Sequence, residues 1–100
     1  MTEFNIYQSD DGLDAIDKMK NKDINIIFLD WNMPNMDGEE VVDVIRSNKE
    51  WNNTRIVMAT TEGTKDKVLK IMKKGVNGYL RKPITQRSSF KILQTLTGRM

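Results

Sequence analysis

Short apolar runs and amphipathic stretches alternate along this chain of 100 residues. Residues 24–29 are almost continuously apolar, which is typical of a strand that is covered on both faces of a parallel sheet. Apolar runs at 55–59 and 78–81 and an alternating run at 3–8 predict three more strands. The helical spacing of apolar residues predicts four helices, over residues 12–20, 39–47, 64–74 and from Thr85 onward.

The order of these elements, β-α-β-α-β-α-β-α, predicts an α/β fold with a parallel sheet, helices on both faces and right-handed crossovers. The chain length predicts a single domain over residues 1–100. Loops and helix N-termini converge at the carboxyl ends of parallel strands, so functional side chains are expected there. The polar residues at those ends are Asp10, Asp11, Asp30, Asn32, Thr60, Thr61 and Lys82. In the third helix, the residues predicted to face the core are Val68, Leu69, Ile71 and Met72.

The composition narrows the chemistry that such a domain can perform. The chain has no cysteine and no histidine, which excludes thiolate metal sites, cysteine nucleophiles and histidine general bases. Lys and Arg number 16 against 14 Asp and Glu, and this net charge of +2 is too balanced to indicate a binder of nucleic acid or membrane surfaces. No signal peptide is recognisable, and no apolar run approaches the roughly 18 residues of a membrane span. We therefore expect a cytoplasmic domain.

Asp30 directly follows the predicted strand that is most apolar. A carboxylate in that position is poorly solvated unless a cation or hydrogen-bond donors face it. Lys82 can supply an ammonium group and Thr60 a hydroxyl, because each stands at the carboxyl end of another strand. The three groups together would form an oxyanion site that holds a phosphoryl group on Asp30. Taken singly, they also fit a capping aspartate, a strand-end threonine and a solvated lysine.

Residues 26–38, with the sequence IIFLDWNMPNMDG, resemble the phosphoacceptor segment of the receiver domains of two-component response regulators, in particular the chemotaxis (CheY-like) type. The likeness continues through residues 58–62 (MATTE) and 75–83 (GVNGYLRKP) and covers nearly the whole chain. The resemblance implies a flavodoxin-like sheet of order 2-1-3-4-5. It also implies a cis peptide bond before Pro83.

The resemblance implies a role for each of these polar residues. Asp30 would accept a phosphoryl group from a histidine kinase, and Lys82 and Thr60 would bind the phosphoryl oxygens. Asp30 and the backbone carbonyl of Asn32 would bind Mg²⁺. Thr60 and Tyr79 would act as switch residues, and the output would be a downstream target protein such as a flagellar switch component. Such a module is not an enzyme, apart from assisting its own phosphorylation and dephosphorylation.

The sequence departs from the family pattern at its start. Residues 4–20 match the second strand and second helix of the family, and no counterpart of the first strand and helix is found. The family's first strand ends in an acidic pair that binds Mg²⁺, so we expect Mg²⁺ binding to be weak. The sheet must pair its first strand directly with its second, exchange elements in a homodimer or domain swap, or use a segment outside this sequence.

Direct pairing has a consequence for the first acidic loop. It would bring Asp10 and Asp11 beside Asp30, where they could substitute for the missing acidic pair. The alternative for both residues is a solvated loop at the start of a helix.

Two other functions stay open at this point. A truncated or pseudo-receiver would keep the partner surface and act as an interaction module without being phosphorylated. Phosphoaspartate hydrolases also place an aspartate after a buried strand, but they use a second aspartate two positions later as a general acid. This chain has Asn32 there, which cannot donate a proton in that way.

Overall fold

A computed structural model describes residues 5–61 and 64–97. Glu3 and Phe4 of the first predicted strand, and Glu62 of the quoted motif, lie outside these described residues. The elements are β1 (Ile6–Ser9), α1 (Gly12–Asn21), β2 (Ile26–Asp30), α2 (Gly38–Ser47), a 3-10 helix (Lys49–Trp51), β3 (Arg55–Thr60), α3 (Lys65–Lys73), β4 (Gly78–Arg81) and α4 (Gln86–Thr97). The predicted alternation is confirmed, and the short 3-10 helix was not predicted.

The strands form one parallel sheet of order β1-β2-β3-β4. Of the three ways in which the sheet could close, the structure shows direct pairing. β1 lies beside β2 in a register that runs from Ile6 opposite Ile26 to Ser9 opposite Leu29. The predicted α/β class with a parallel sheet is confirmed, and no exchange of strands between copies is needed to build the sheet that the described residues form.

The two faces of the sheet are covered unequally. The larger core cluster packs one face against three helices and includes Ala15 of α1, Val42 of α2 and Ile71 of α3. The smaller cluster lies on the other face, where α4 is the covering helix. Its buried residues are Ile26, Phe28, Val57 and Leu80, and the partly buried residues packed on them are Ile84, Ile92, Leu93 and Leu96. Helix α4 does not fully cover β1, since 48% of the surface of Ile6 in β1 is exposed.

Helix α3 buries fewer apolar residues than its sequence spacing predicts. Ile71 is fully buried, but 51% of Leu69 and 39% of Met72 are exposed. The prediction that these two residues face the core is wrong, because helical spacing marks an apolar arc without showing how much of that arc the sheet covers. None of the helices in the described part of the chain is long and apolar enough to cross a membrane.

Arg46 lies near the end of α2. Its side chain links the chain segments that precede β3 and β4, at the end of the sheet opposite to Asp30. Its guanidinium donates hydrogen bonds to three backbone carbonyls and one side-chain amide, and burial lowers the pKa of Arg46. The acceptors are Gly75 O (2.9 Å), Trp51 O (3.2 Å), Thr54 O (2.7 Å) and Asn77 Oδ1 (3.0 Å). Asn77 Oδ1 also accepts from the backbone N–H of Ile56 at 2.8 Å, so this network fixes the start of β3.

We expect Arg46→Lys to destabilise the fold by about 2 kcal/mol, because an ammonium group cannot reach all four acceptors and leaves partly buried carbonyls unpaired. Urea unfolding followed by circular dichroism measures this loss. Arg55→Lys, at the exposed first position of β3, is the matched control and is expected to change the free energy of unfolding by less than about 0.5 kcal/mol. Equal effects of the two substitutions would contradict the role of the network.

Candidate functional site

The strand ends bring three of the predicted residues to one edge of the sheet. Asp30 is the last residue of β2, Thr60 is the last of β3, and Lys82 directly follows β4. The backbone stays paired beyond the strands: the N–H of Trp31 donates to Ala59 O at 2.9 Å, and the N–H of Lys82 donates to Thr60 O at 2.8 Å. The backbone at the end of β2, next to Asp30, and the backbone at Lys82 are therefore held by the sheet.

Both carboxylate oxygens of Asp30 have partners. Lys82 Nζ forms an ion pair with Oδ2. Oδ1 accepts a hydrogen bond of 3.1 Å from the backbone N–H of Asn32, two residues further along the chain. The side chains of Asp30 and Lys82 are 21% and 33% exposed, so the pair is partly desolvated and still reachable from solvent.

Asp30 and Lys82 line a small crevice of about 60 Å³ at the mouth of the sheet. The other lining residues are Gln8, Ser9, Asp10, Phe28, Leu29, Ala59 and Ile84. The contribution from β3 is thus Ala59, which lies opposite Asp30 in the register. Thr60 is buried at the next position, with 3% exposure. Its assignment as a phosphoryl-binding and switch residue stays a prediction.

The structure separates the roles of the two acidic residues after β1. Asp10 is exposed and lines the same crevice as Asp30. Asp11 is the N-cap of α1: its Oδ1 accepts from the N–H of Leu13 at 2.9 Å, and its Oδ2 accepts from Asn35 Nδ2 at 3.0 Å. The carboxylate of Asp11 is therefore engaged in folding the loop, and Asp10 is the member of the pair that faces the site.

The loop after Asp30 is held close to the end of β2 by a glycine. The N–H of Gly38 donates to Trp31 O at 3.0 Å. A Cβ atom at this position would lie 2.8 Å from Asp30 O and 2.6 Å from Met58 Cε. Asp37 caps the helix that begins there, with its Oδ1 accepting from the N–H of Glu40 at 2.9 Å. The sequence motif ends in Asp-Gly because this turn needs a cap and a residue without a side chain.

The remaining predicted residues lie at the rim of the site. Asn32 is exposed, and its backbone N–H is turned to Asp30. Tyr79 lies in β4 with 39% exposure, between buried Gly78 and Leu80. The peptide bond between Lys82 and Pro83 is cis, as the resemblance implies. The proposed roles of the Asn32 carbonyl in metal binding and of Tyr79 in switching stay predictions.

Acidic side chains that follow β1 and lie in α1 act on Tyr7 of β1. The pKa of Tyr7 is raised by burial, then by the hydrogen bond that its hydroxyl donates to Asp14 Oδ2 at 2.9 Å, and further by the charges of Asp14, Asp10 and Asp17. The charge of Asp10, which directly follows β1, therefore reaches Tyr7 within the same strand. The crevice combines this carboxylate with the Asp30–Lys82 pair, so the three charged side chains that line it sum to −1.

Among the described residues, the oxygen donors at the site are too few for a divalent cation. Mg²⁺ takes oxygen ligands in near-octahedral geometry and prefers carboxylates. The part of the chain that the structure describes contains no group of three or more acidic side chains placed to hold a metal ion. Asp30 is already paired with Lys82, and Asp11 caps a helix. These residues do not fit a complete Mg²⁺ site.

Three features of the site were not found from the sequence. Ser9 is 4% exposed, and its hydroxyl donates to Asp11 O at 2.8 Å. Asn35 adopts a positive φ of 69°, and Ile84 forms part of the crevice wall. Asn is common at positive φ, which could have marked the turn, but no sequence signal gives the position of Ser9 or Ile84.

The sequence of the chain is similar to that of known signalling proteins. The sequence model of the response regulator receiver domain family matches residues 1–94. The "Chemotaxis protein CheY homolog" of Campylobacter jejuni (serotype O:23/36, strain 81-176) is 37% identical over 94 residues, which are 93% of this chain and 72% of that protein.

Solved structures share the fold. The chemotaxis response regulator CheY4 of Vibrio cholerae superposes with a TM-score of 0.86 at 25% identity, over 95% of this chain and 99% of that one. The receiver domain of the sensor histidine kinase PA1611 from Pseudomonas aeruginosa PAO1 has a TM-score of 0.83 at 19% identity, over 97% and 99% of the two chains. That structure has a magnesium ion coordinated in its active site cleft.

We expect Gly38→Ala to destabilise the chain by about 1–3 kcal/mol, because the added methyl group overlaps the backbone of Asp30. Without this close approach, the same change in a helix would stabilise the chain by about 0.5–1 kcal/mol. Thermal unfolding decides between the two signs. Glu40→Ala, an exposed change in the same helical turn, serves as the control, and a Gly38→Ala variant more stable than wild type would contradict the close packing.

Proposed function

The chain belongs to the response regulator receiver domain family, and we propose that it is a phosphoacceptor module that a histidine kinase phosphorylates on Asp30. It is a receiver of the chemotaxis type in two-component signalling. The observation that carries the proposal is the contact of Lys82 Nζ with the Asp30 carboxylate in a crevice at the carboxyl ends of the strands. This arrangement gives a partly buried carboxylate that solvent still reaches, with a positive charge beside it.

The transfer needs an oxygen nucleophile and groups that stabilise the charge on the phosphoryl oxygens. An Asp30 oxygen attacks phosphorus, the P–O bond forms, and the P–N bond to the kinase histidine breaks, with the electron pair leaving on the imidazole nitrogen. Lys82 then donates to a phosphoryl oxygen instead of to the free carboxylate. Thr60, the last residue of β3, supplies a hydroxyl to a second phosphoryl oxygen.

Phosphorylation adds charge and acceptor oxygens at Asp30, and these favour a different arrangement of the groups around it. In the proposed switch, Thr60 moves toward the phosphoryl group and Tyr79 changes rotamer. Tyr79 is 39% exposed, so part of its side chain is in contact with solvent. Leu69 and Met72 of α3 expose apolar surface to solvent. This exposure supports a role of the α3 surface in binding a target.

The proposal includes the setting in which the module works. Its partners are a histidine kinase and a downstream target, such as a flagellar switch component, and neither nucleic acid nor a membrane is a partner. The domain is cytoplasmic. It catalyses no reaction beyond assisting its own phosphorylation and the hydrolysis of its own acyl phosphate.

The test is phosphorylation of the whole chain with acetyl phosphate in the presence of Mg²⁺, followed by intact-mass and peptide mass spectrometry. One phosphoryl adduct on Asp30 is expected, and Asp30→Asn is expected to abolish it. Asp17→Asn, which removes an exposed carboxylate from α1, is the matched control and should keep the adduct. An adduct on another residue, or none at any Mg²⁺ concentration, contradicts the proposed function.

A second candidate is a pseudo-receiver that keeps the partner surface without being phosphorylated. The observation that favours it is that the described residues contain no group of three or more acidic side chains that could hold a divalent cation. The same mass spectrometry separates the two candidates, since the second predicts no adduct on Asp30. The oligomeric state stays a prediction: β1 pairs with β2 of its own chain, and light scattering of the chain would show whether copies also form a homodimer.

A further inference from the structure

The loop that follows Asp30 contains a strained turn at Asn35. The N–H of Met36 donates to Pro34 O at 2.7 Å, so the chain turns within three residues. Asn35, at the centre of this turn, has a positive φ of 69°. Asparagine tolerates the left-handed conformation better than most residues, but surrounding contacts must still hold it there. The contacts of Asn35 therefore decide the shape of the loop.

The start of α1 holds this turn in place. Asn35 Nδ2 donates to Asp11 Oδ2 at 3.0 Å, across 24 positions of the chain. The other carboxylate oxygen of Asp11 accepts from the N–H of Leu13 at 2.9 Å and caps the helix. The two backbones also meet, because a Cβ atom added at Gly12 would lie 2.0 Å from Met36 O. The turn is thus fixed to α1 by a charge-assisted hydrogen bond and by direct backbone packing.

The same loop carries a hydrogen-bond donor to the Asp30 carboxylate. The N–H of Asn32 donates to Oδ1 at 3.1 Å, while Lys82 Nζ contacts Oδ2. Asn32 lies three positions before Asn35, and the side chain of Met33 between them is buried. A displacement of the turn is therefore passed to the N–H of Asn32 over a short, packed stretch of backbone.

We propose that Asn35 is a positioning residue for phosphoryl transfer to Asp30. Its hydrogen bond to Asp11 fixes the loop, and the loop in turn keeps the N–H of Asn32 on the carboxylate. The inference rests on the proposed function, because it concerns the same transfer. A misplacement of reacting groups by about 1 Å can slow a reaction about a hundredfold, even when its cause lies far from the reacting atoms. Asn35 acts in this way, through the loop.

Reversing the hydrogen bond tests the inference. Asn35→Asp places a second carboxylate against that of Asp11, which removes the donor and adds repulsion between like charges. The double variant Asp11→Asn, Asn35→Asp exchanges donor and acceptor and restores the contact. Asparagine is about as good an N-cap as aspartate, so the exchange keeps the start of α1.

Two quantities are measured on the whole chain: the rate at which acetyl phosphate with Mg²⁺ gives the adduct on Asp30, and the amide resonance of Asn32. Asn35→Asp is expected to slow adduct formation about tenfold or more and to shift the Asn32 resonance. The double variant is expected to recover most of the rate and the wild-type resonance. Asn53→Asp makes the same chemical change at an exposed position before β3 and should leave both quantities unchanged.

A purely structural role of Asn35 predicts a different pattern. Arg46→Lys lowers stability at the other end of the sheet, so the folded variant should form the adduct at close to the wild-type rate. If it slows the reaction as much as Asn35→Asp does, the loss follows from stability and the inference is wrong. A wild-type rate in Asn35→Asp, or a double variant no faster than Asn35→Asp, also overturns it.

The amide spectrum shows whether each variant is folded. If Asn35→Asp does not fold, Asn35→Gly carries the test, because glycine adopts the positive φ freely and lacks the amide group. Asn35→Gly is expected to react more slowly than wild type, and an unchanged rate contradicts the inference.

Failure of the proposed function is distinguishable from failure of this inference. A wild-type chain that forms no adduct contradicts the proposed function. The Asn32 resonance needs no phosphodonor and then decides alone. A shift in Asn35→Asp that the double variant reverses supports the hold of Asn35 on the hydrogen-bond donor of Asp30, and no shift overturns it.

Discussion

Parallel pairing of β1 with β2 is the contact on which the arrangement of the site depends. It closes the sheet beside its most buried strand, in which Ile26, Ile27 and Leu29 are fully buried. The same register brings the end of β1 level with the end of β2, so Asp10 and Asp30 share a crevice. A slip of this register by one residue would turn every β1 side chain to the other face of the sheet. The composition of the crevice is thus a consequence of backbone pairing as much as of the residues that line it.

The ion pair in the crevice is suited to changing partners. Its side chains are 21% and 33% exposed, and pairs that solvent reaches contribute only about 0–1 kcal/mol to folding. The core of Ile56, Met58 and their neighbours holds the domain together independently of this pair. Exchanging the ammonium contact for another ligand therefore changes local charge without threatening the fold. A site with a fully buried pair would not have this freedom, since removing one partner there is strongly destabilising.

Periodicity predicted the order of strands and helices well, because each buried strand is a run of apolar residues with clear turn signals on either side. The strand-end rule also predicted that Asp30 and Lys82 would meet. It could not separate Asp10 from Asp11, because one of the partners of the Asp11 carboxylate is Asn35, which lies 24 residues further along the chain. Helical spacing overestimated the burial of Leu69, since an apolar stripe on a helix does not show how far the sheet extends beneath it. The contacts of Arg46 join four segments and have no local sequence signal.

The two ends of the Asp30–Lys82 pair differ in how firmly the fold holds them. Asp30 ends a strand with neighbours on both sides, whereas Lys82 follows the edge strand β4 and lies a few residues before α4. Within Gln86–Thr97, α4 has no buried residue, and Ile84 joins it to the crevice wall. Segments with few buried apolar contacts open and shift at lower free energy than a packed core. A new ligand on Asp30 is therefore expected to move Lys82 and the start of α4, while β2 and the three-helix face stay in place.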